Sequence, residues 1–434
     1  MNGMLSPIII TLVNLSLACL PGTASILSYI FLLILLIYRY KLAPLVFLNL
    51  CFLVLGNEAL FTGLIDFGSL KYIVIFTFFI QSILYFPRSF VNNIYFVLLS
   101  SAFVIIVIHS LFFSFYPTYS IIKISFWYSL VICFSAYFYK LGFEEKKNIL
   151  MSCYCILMLV IIISLLLHFV PAIGYFVNGE GLQGITNQPQ VFGSIAGLFS
   201  LISIIFFLNS KNYLFSFGFI FGLIGVYLSQ ARTAALAFFI SFAFLLIQII
   251  WDRYSLNNMN IYSRFSSRLS FFFIIFTPLL ILFNYNYFAD FINKRGESGF
   301  TSIDESSRAI FIEHMLNNID IYGLSGIGLG IPSNLNFSEM SYLPFLYLPI
   351  SLPVEKGVFY IANIEELGFL FGGIIFLILF FIFKNGFIRN YYAPIIIFIF
   401  ATNIAENTFF SVGGLGMLFW IFACMSIVFI SKRD

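Results

Sequence analysis

Residues 213–251 read YLFSFGFIFGLIGVYLSQARTAALAFFISFAFLLIQIIW, and this stretch decides the fold. Two apolar runs, 213–229 and 233–251, are separated by a short polar break, and Arg232 is the only charge in the whole stretch. A bilayer core about 30 Å thick is crossed by roughly 20 apolar residues in helical form. Lipid offers no partner for backbone N–H and C=O groups, so runs like these become helices that satisfy their own backbone. Two consecutive membrane spans with a tight junction at Ser229–Thr233 are therefore expected.

The same pattern extends in both directions. Further apolar runs lie near 7–20, 24–38, 43–62, 70–86, 93–113, 121–139, 150–170 and 189–208, and beyond the stretch near 269–287, 364–383, 390–409 and 411–431. That makes fourteen candidates. The first two are short and split by Pro21-Gly22, and a single hairpin there lowers the number to twelve. Composition agrees: of 434 residues 61% are hydrophobic and 9% charged, against about 25% charged in soluble domains. The 60 Phe suit a lipid-facing exterior. The expected fold is all-α, a polytopic transmembrane bundle of 12–14 spans. It divides into N-terminal helices over 1–287, one large loop with short helices over 288–363 that caps the bundle, and C-terminal helices over 364–434. The first apolar segment has neither a basic leader nor a cleavage site and is expected to be retained.

A net charge of +3 argues against nucleic-acid binding. The six Cys lie in or beside apolar runs without a CxxC, and there is no Asp-x-Asp and no metal-spaced His/Asp/Glu cluster. Neither a metal nor a cofactor is expected. Orientation follows from Lys and Arg, which are enriched in cytoplasmic loops. One set of alternate loops and the C-terminus carries fourteen of the 21. The opposite set carries Lys71, Lys123, Arg232, Lys294, Arg295, Arg308 and Lys356. Both termini are thus expected in the cytoplasm, and the 288–363 loop on the outside of a bacterial cytoplasmic membrane.

Ionisable groups at membrane depth are costly and mark function. Arg232 at a helix junction offers a planar fork of donors beside an electropositive helix N-terminus, which suits a phosphate oxygen. The alternative is an Arg snorkelling to headgroups. Arg308 and His314 lie on a helix-like stretch, 306–318, where a solvated surface role is the competing reading. Gly323–Gly330 is a tight turn or a place of close backbone approach. Glu365-Glu366 sits where the chain returns to the membrane, one favouring a helix N-terminus, the other placed to act as a general base. Glu180, Asn187–Gln190, Asn403, Glu406 and Asn407 fall on the same side, so polar groups from distant segments converge on one membrane face.

In this order and spacing, four elements resemble the O-antigen polymerase and ligase superfamily, the Wzy-type integral membrane glycosyltransferases. They are Gly184–Gly193 before a span, Ser229–Thr233 between spans, Arg308 with Gly326–Gly330 in the long loop, and Glu366–Gly372 at the return to the membrane. The resemblance covers about 180–375 in motifs and the whole chain in topology. It implies transfer of a growing glycan from undecaprenyl pyrophosphate onto a lipid-linked repeat unit, giving O-antigen or capsule, with a flippase and a chain-length regulator as pathway partners. It further implies that Arg232 and Arg308 hold the pyrophosphate, with Asn187, Gln190, Gly328 and Asn363 completing the substrate site. The ligases carry His-Asn where this chain has Ala362-Asn363, which favours polymerisation and leaves the base to Glu366 first and His314 second. A metal-independent, inverting transfer is expected. The rival readings are a ligase acting on another acceptor, a polysaccharide flippase or carrier, and a non-enzymatic scaffold. No internal repeat of the transporter kind is seen.

Overall fold

A computed structural model describes residues 2–255, 307–334, 340–343, 348–351, 356–388 and 392–430. The candidate span at 269–287 lies outside the described residues. Up to residue 255 the helices run α1 Asn2–Ala18, α2 Ile26–Tyr38, α3 Ala43–Val54, α4 Lys71–Leu84, α5 Ile94–Phe113, α6 Pro117–Lys140, α7 Phe143–Leu166, the single turn α8 Pro171–Gly174, α9 Pro189–Ser210, α10 Leu214–Ser229 and α11 Arg232–Ser255. Then follow α12 Ser307–Tyr322, a two-stranded antiparallel ribbon of β1 Ser341–Leu343 and β2 Leu348–Ser351, α13 Phe359–Ile388, α14 Ala393–Thr402 and α15 Gly414–Ile430.

Six of these helices are long and apolar enough to cross a membrane, and seven shorter apolar helices of 10–17 residues accompany them. The chain is a multi-pass helical membrane protein. Its outer faces carry exposed Ile34, Phe76, Ile108, Phe217 and Phe380, apolar surface that water would not tolerate in such quantity.

α9 is buried nearly throughout and packs against α7, α10, α11 and α14. Apolar side chains gain little by leaving lipid for protein, so helices in a membrane associate through close packing and interhelical hydrogen bonds. Small residues provide both here. A Cβ on Gly222 would lie 2.6 Å from Ser200 Cβ, and one on Gly197 2.9 Å from the Phe398 ring. Ser200 Oγ donates to Phe219 O across the α9–α10 contact at 2.9 Å.

The expected spans at 43–62 and 390–409 are shorter in the structure. α3 stops at Val54, and residues 55–70 form turns and a 3₁₀ segment before α4. α14 has 10 residues, and 403–413 continues without helix. Irregular backbone at this depth is tolerated only where protein satisfies it, and side chains do so. Asn403 Nδ2 donates to Ile399 O at 2.8 Å, and its Oδ1 accepts from Thr408 N at 2.8 Å. Trp127 and Trp420 both donate to the carbonyl of Phe409, at 2.8 and 2.6 Å. Hydropathy saw an apolar run here. The fold made a half-helix and a buried strap.

The span expected from 364 starts earlier, since α13 already opens at Phe359, so Glu365 and Glu366 lie inside a helix and not at its N-terminus. α13 is kinked at Gly368, which adopts φ 73°, ψ 169°, a region open essentially only to glycine.

Candidate functional site

The kink at Gly368 is where the glycine loop docks. Gly328 N donates to Glu366 O at 2.8 Å, Ile327 N to Glu365 O at 3.0 Å, and Phe369 N to Gly323 O at 2.8 Å. The backbones approach so closely that a Cβ on Gly326 would stand 2.5 Å from Glu366 O, and one on Gly368 2.3 Å from Leu324 O. Two of the sequence motifs, Gly326–Gly330 and Glu366–Gly372, thus form one structural unit. It is anchored to the α5–α6 turn by Phe115 N donating to Ile327 O at 3.0 Å and Ser120 Oγ donating to Leu329 O at 2.9 Å.

The other two motifs also meet. Leu182 N donates to Leu228 O at 2.8 Å, and a Cβ on Gly193 would lie 2.4 Å from Ala231 Cβ. The loop between α8 and α9 is pinned from the far side by Asn57, whose Nδ2 donates to Ile173 O at 2.9 Å and Gly184 O at 2.7 Å. Gly56 forms a bridge with Thr186, and Asn187 N donates to Leu55 O at 2.6 Å.

Between these units lies a cavity of about 410 Å³. Its charged and polar lining includes Lys71, Lys123, Glu366, Asn187, Asn407 and Tyr119, drawn from α4, α6, α13, the loop before α9 and the 403–413 strap. A second cavity of about 540 Å³, lined by Arg39, Lys41, Lys140 and Glu145, lies at the opposite end of α3, α4 and α6.

Behind the first cavity is an ion cluster. Lys356 Nζ lies 2.7 Å from Glu365 Oε2 and 3.2 Å from Glu366 Oε1, all three side chains being buried. These are ion contacts without hydrogen-bond alignment at the lysine. Glu365 is saturated by Asn318 Nδ2 at 2.7 Å and Ser333 Oγ at 3.1 Å. Among the described residues Glu366 has Lys356 as its ion-pair partner, and it also lines the cavity. Lys123 is within electrostatic reach of Glu366 and Lys356.

The expected site residues are distributed as follows. Glu366 and Asn187 line the cavity, and the buried Asn187 Oδ1 has no partner among the described residues. Gly328 lies in the loop clamped to Glu366, and Asn363 Nδ2 donates to Gly372 O at 3.1 Å, bracing the kink. Gln190 is half-buried in the first turn of α9, and His314 is half-buried on α12, one turn before Asn318. Arg232 opens α11 and does not line the cavity. Arg308 belongs to the first turn of α12, and its side chain lies outside the described residues. The meeting of two guanidinium groups expected from sequence is therefore not among the described contacts.

Sequence reasoning passed over Lys71, Lys123 and Lys356, which it used only for orientation, and His109. The His109 ring on α5 bonds Ser325 O through Nε2. A carbonyl can only accept, so that nitrogen carries the proton. Its Nδ1 is buried without a partner among the described residues. Lysines outside the majority set, at the ends of apolar helices, were the available signal.

The fold and site together define a multi-pass helical membrane protein with a charged chamber at one end of its bundle. No known protein family, curated protein or solved structure matches the chain.

Proposed function

We propose that the protein polymerises lipid-linked oligosaccharide repeat units, moving a growing glycan from undecaprenyl pyrophosphate onto a lipid-linked repeat to build O-antigen or capsule. The observation that carries this reading is Glu366, a buried carboxylate that opens on a chamber built from distant segments and whose backbone is bonded into the Gly326–Gly330 and Gly368 clamp.

In the proposed reaction an acceptor sugar hydroxyl attacks the anomeric carbon of the donor glycan. The new C–O glycosidic bond forms as the bond from that carbon to the pyrophosphate oxygen breaks, with inversion. Glu366 takes the hydroxyl proton, and undecaprenyl pyrophosphate departs with the electron pair. Lipid pyrophosphate is a good leaving group once its charge is met by fixed cations, so acid–base help is needed at one oxygen only. The chamber faces the outside of the cytoplasmic membrane in this scheme, where lipid-linked repeats accumulate.

The test is deletion of the gene followed by gel analysis of surface polysaccharide. The long ladder is expected to vanish while a one-repeat band remains. The parent chain restores the ladder, and Glu366→Gln, present in the membrane at parent level, does not. Arg232→Ala and Arg308→Ala belong in the same series. A ladder restored by Glu366→Gln removes this carboxylate from the chemistry, and an unchanged ladder in the deletion strain removes the polymerase reading.

A further inference from the structure

We infer that Lys71 and Lys123 form the anion site of the chamber and take a phosphate or diphosphate group; the identification of that group with a leaving pyrophosphate rests on the polymerase reading, but the site itself does not.

Among the described residues the charges in and against the chamber do not balance. Three lysines, Lys71, Lys123 and Lys356, stand with two carboxylates, Glu365 and Glu366. Lys356 is shared between both glutamates, and Lys123 lies within reach of Glu366. Lys71 has no carboxylate within ion-pair distance among the described residues, and its Nζ lies over the Tyr72 ring, 5.1 Å from the centroid. Lys71 is the first residue of α4 and runs on directly from the 3₁₀ segment Ile65–Leu70. An anion in the chamber would relieve its unpaired charge.

The backbone leaves space for both ammonium groups. A Cβ at Gly413 would come within 3.3 Å of Lys71 Nζ, and one at Gly330 would overlap Lys123 Nζ. Gly330 has φ +74°, a conformation that itself selects glycine. The volume, about 410 Å³, accommodates a diphosphate with part of a sugar. Point-charge lysines are established phosphate binders.

The experiment measures binding to the purified full-length chain in detergent micelles, using calorimetry with two probes, inorganic pyrophosphate and farnesyl pyrophosphate. Saturable binding of pyrophosphate is expected, weakened at least about tenfold by Lys71→Met or Lys123→Met, the effect of losing one charge-assisted bond, and retained in Lys71→Arg. Lys147→Met, on an exposed surface, leaves it unchanged. Glu366→Gln removes a negative charge beside Lys123 and tightens binding, an effect that a merely structural lysine pair would not produce. Tighter binding of farnesyl than of inorganic pyrophosphate assigns the site to a lipid-linked source, and equal binding assigns it to the free anion. Binding that is absent for both probes in the parent chain, or unchanged in both Lys→Met variants, overturns the proposal. Because no glycan transfer is measured, binding with an unchanged ladder in the deletion strain leaves the anion site standing and the polymerase reading refuted.

Discussion

Replacing Lys356 by Met keeps the length and packing of the side chain and removes its charge from between two buried carboxylates. The ammonium stands 2.7 Å from Glu365 and 3.2 Å from Glu366. At an effective dielectric near 20 those contacts correspond to attractions of about 6 and about 5 kcal/mol, and desolvation of the ions offsets much of this. What remains after the substitution is unequal. Glu365 keeps Asn318 and Ser333, whereas Glu366 loses its ion-pair partner among the described residues and faces its neighbour's charge. Breaking a buried pair in this way destabilises by about 3–5 kcal/mol. Unfolding in mixed micelles, followed by tryptophan fluorescence, measures it. Trp127 and Trp420 both bond the Phe409 carbonyl, and Phe410 and Ser411, next along that strap, line the chamber, so loosening there is seen directly. The double variant Lys356→Met/Glu366→Gln is expected to recover more than half of the loss, because the remaining charge sits on the hydrogen-bonded Glu365. A single variant within about 0.5 kcal/mol of the parent, the scatter of ordinary surface changes, refutes the reasoning.

Gly368→Ala is expected to destabilise by about 1–3 kcal/mol from backbone strain alone, with a further loss from the contact at 2.3 Å to Leu324 O. Gly373→Ala, whose Cβ would have nothing within 4 Å, stabilises by about 0.5–1 kcal/mol because it lies inside the helix; thermal unfolding of the pair in detergent reads the opposite signs. Asn57→Leu strands the carbonyls of Ile173 and Gly184 and the N–H of Ala59. It should cost about 1–3 kcal/mol and speed protease cleavage within 173–187 relative to the parent.

Legibility differed between the fold and the site. Helix positions followed from where apolar residues run unbroken, as at α5, α9 and α10, because in lipid the backbone has one local solution. The glycine-rich turn at 323–330 and the carboxylates before Gly368 were visible as unusual residues. Their union was not, since it rests on backbone bonds such as Gly328 N to Glu366 O. The half-helix α14 was expected as a full span to 409 because Phe409 at its far end is as apolar as any lipid-facing residue. Here Phe409 is buried against Trp127, Trp420 and Phe359.

The sequence by itself determined that the chain enters membranes many times and that its scarce charges sit at helix ends, since hydropathy is a property of local segments. Which of those charges meet was decided by tertiary structure alone. His109 touches Ser325 and Lys123 approaches Gly330 across some two hundred residues of chain. Nothing local in the sequence distinguishes the lysines that face the chamber from those that anchor a helix to headgroups. Only the packing of α4, α6 and α13 around a shared cavity makes that choice, because an ion's partner is set by distance in space.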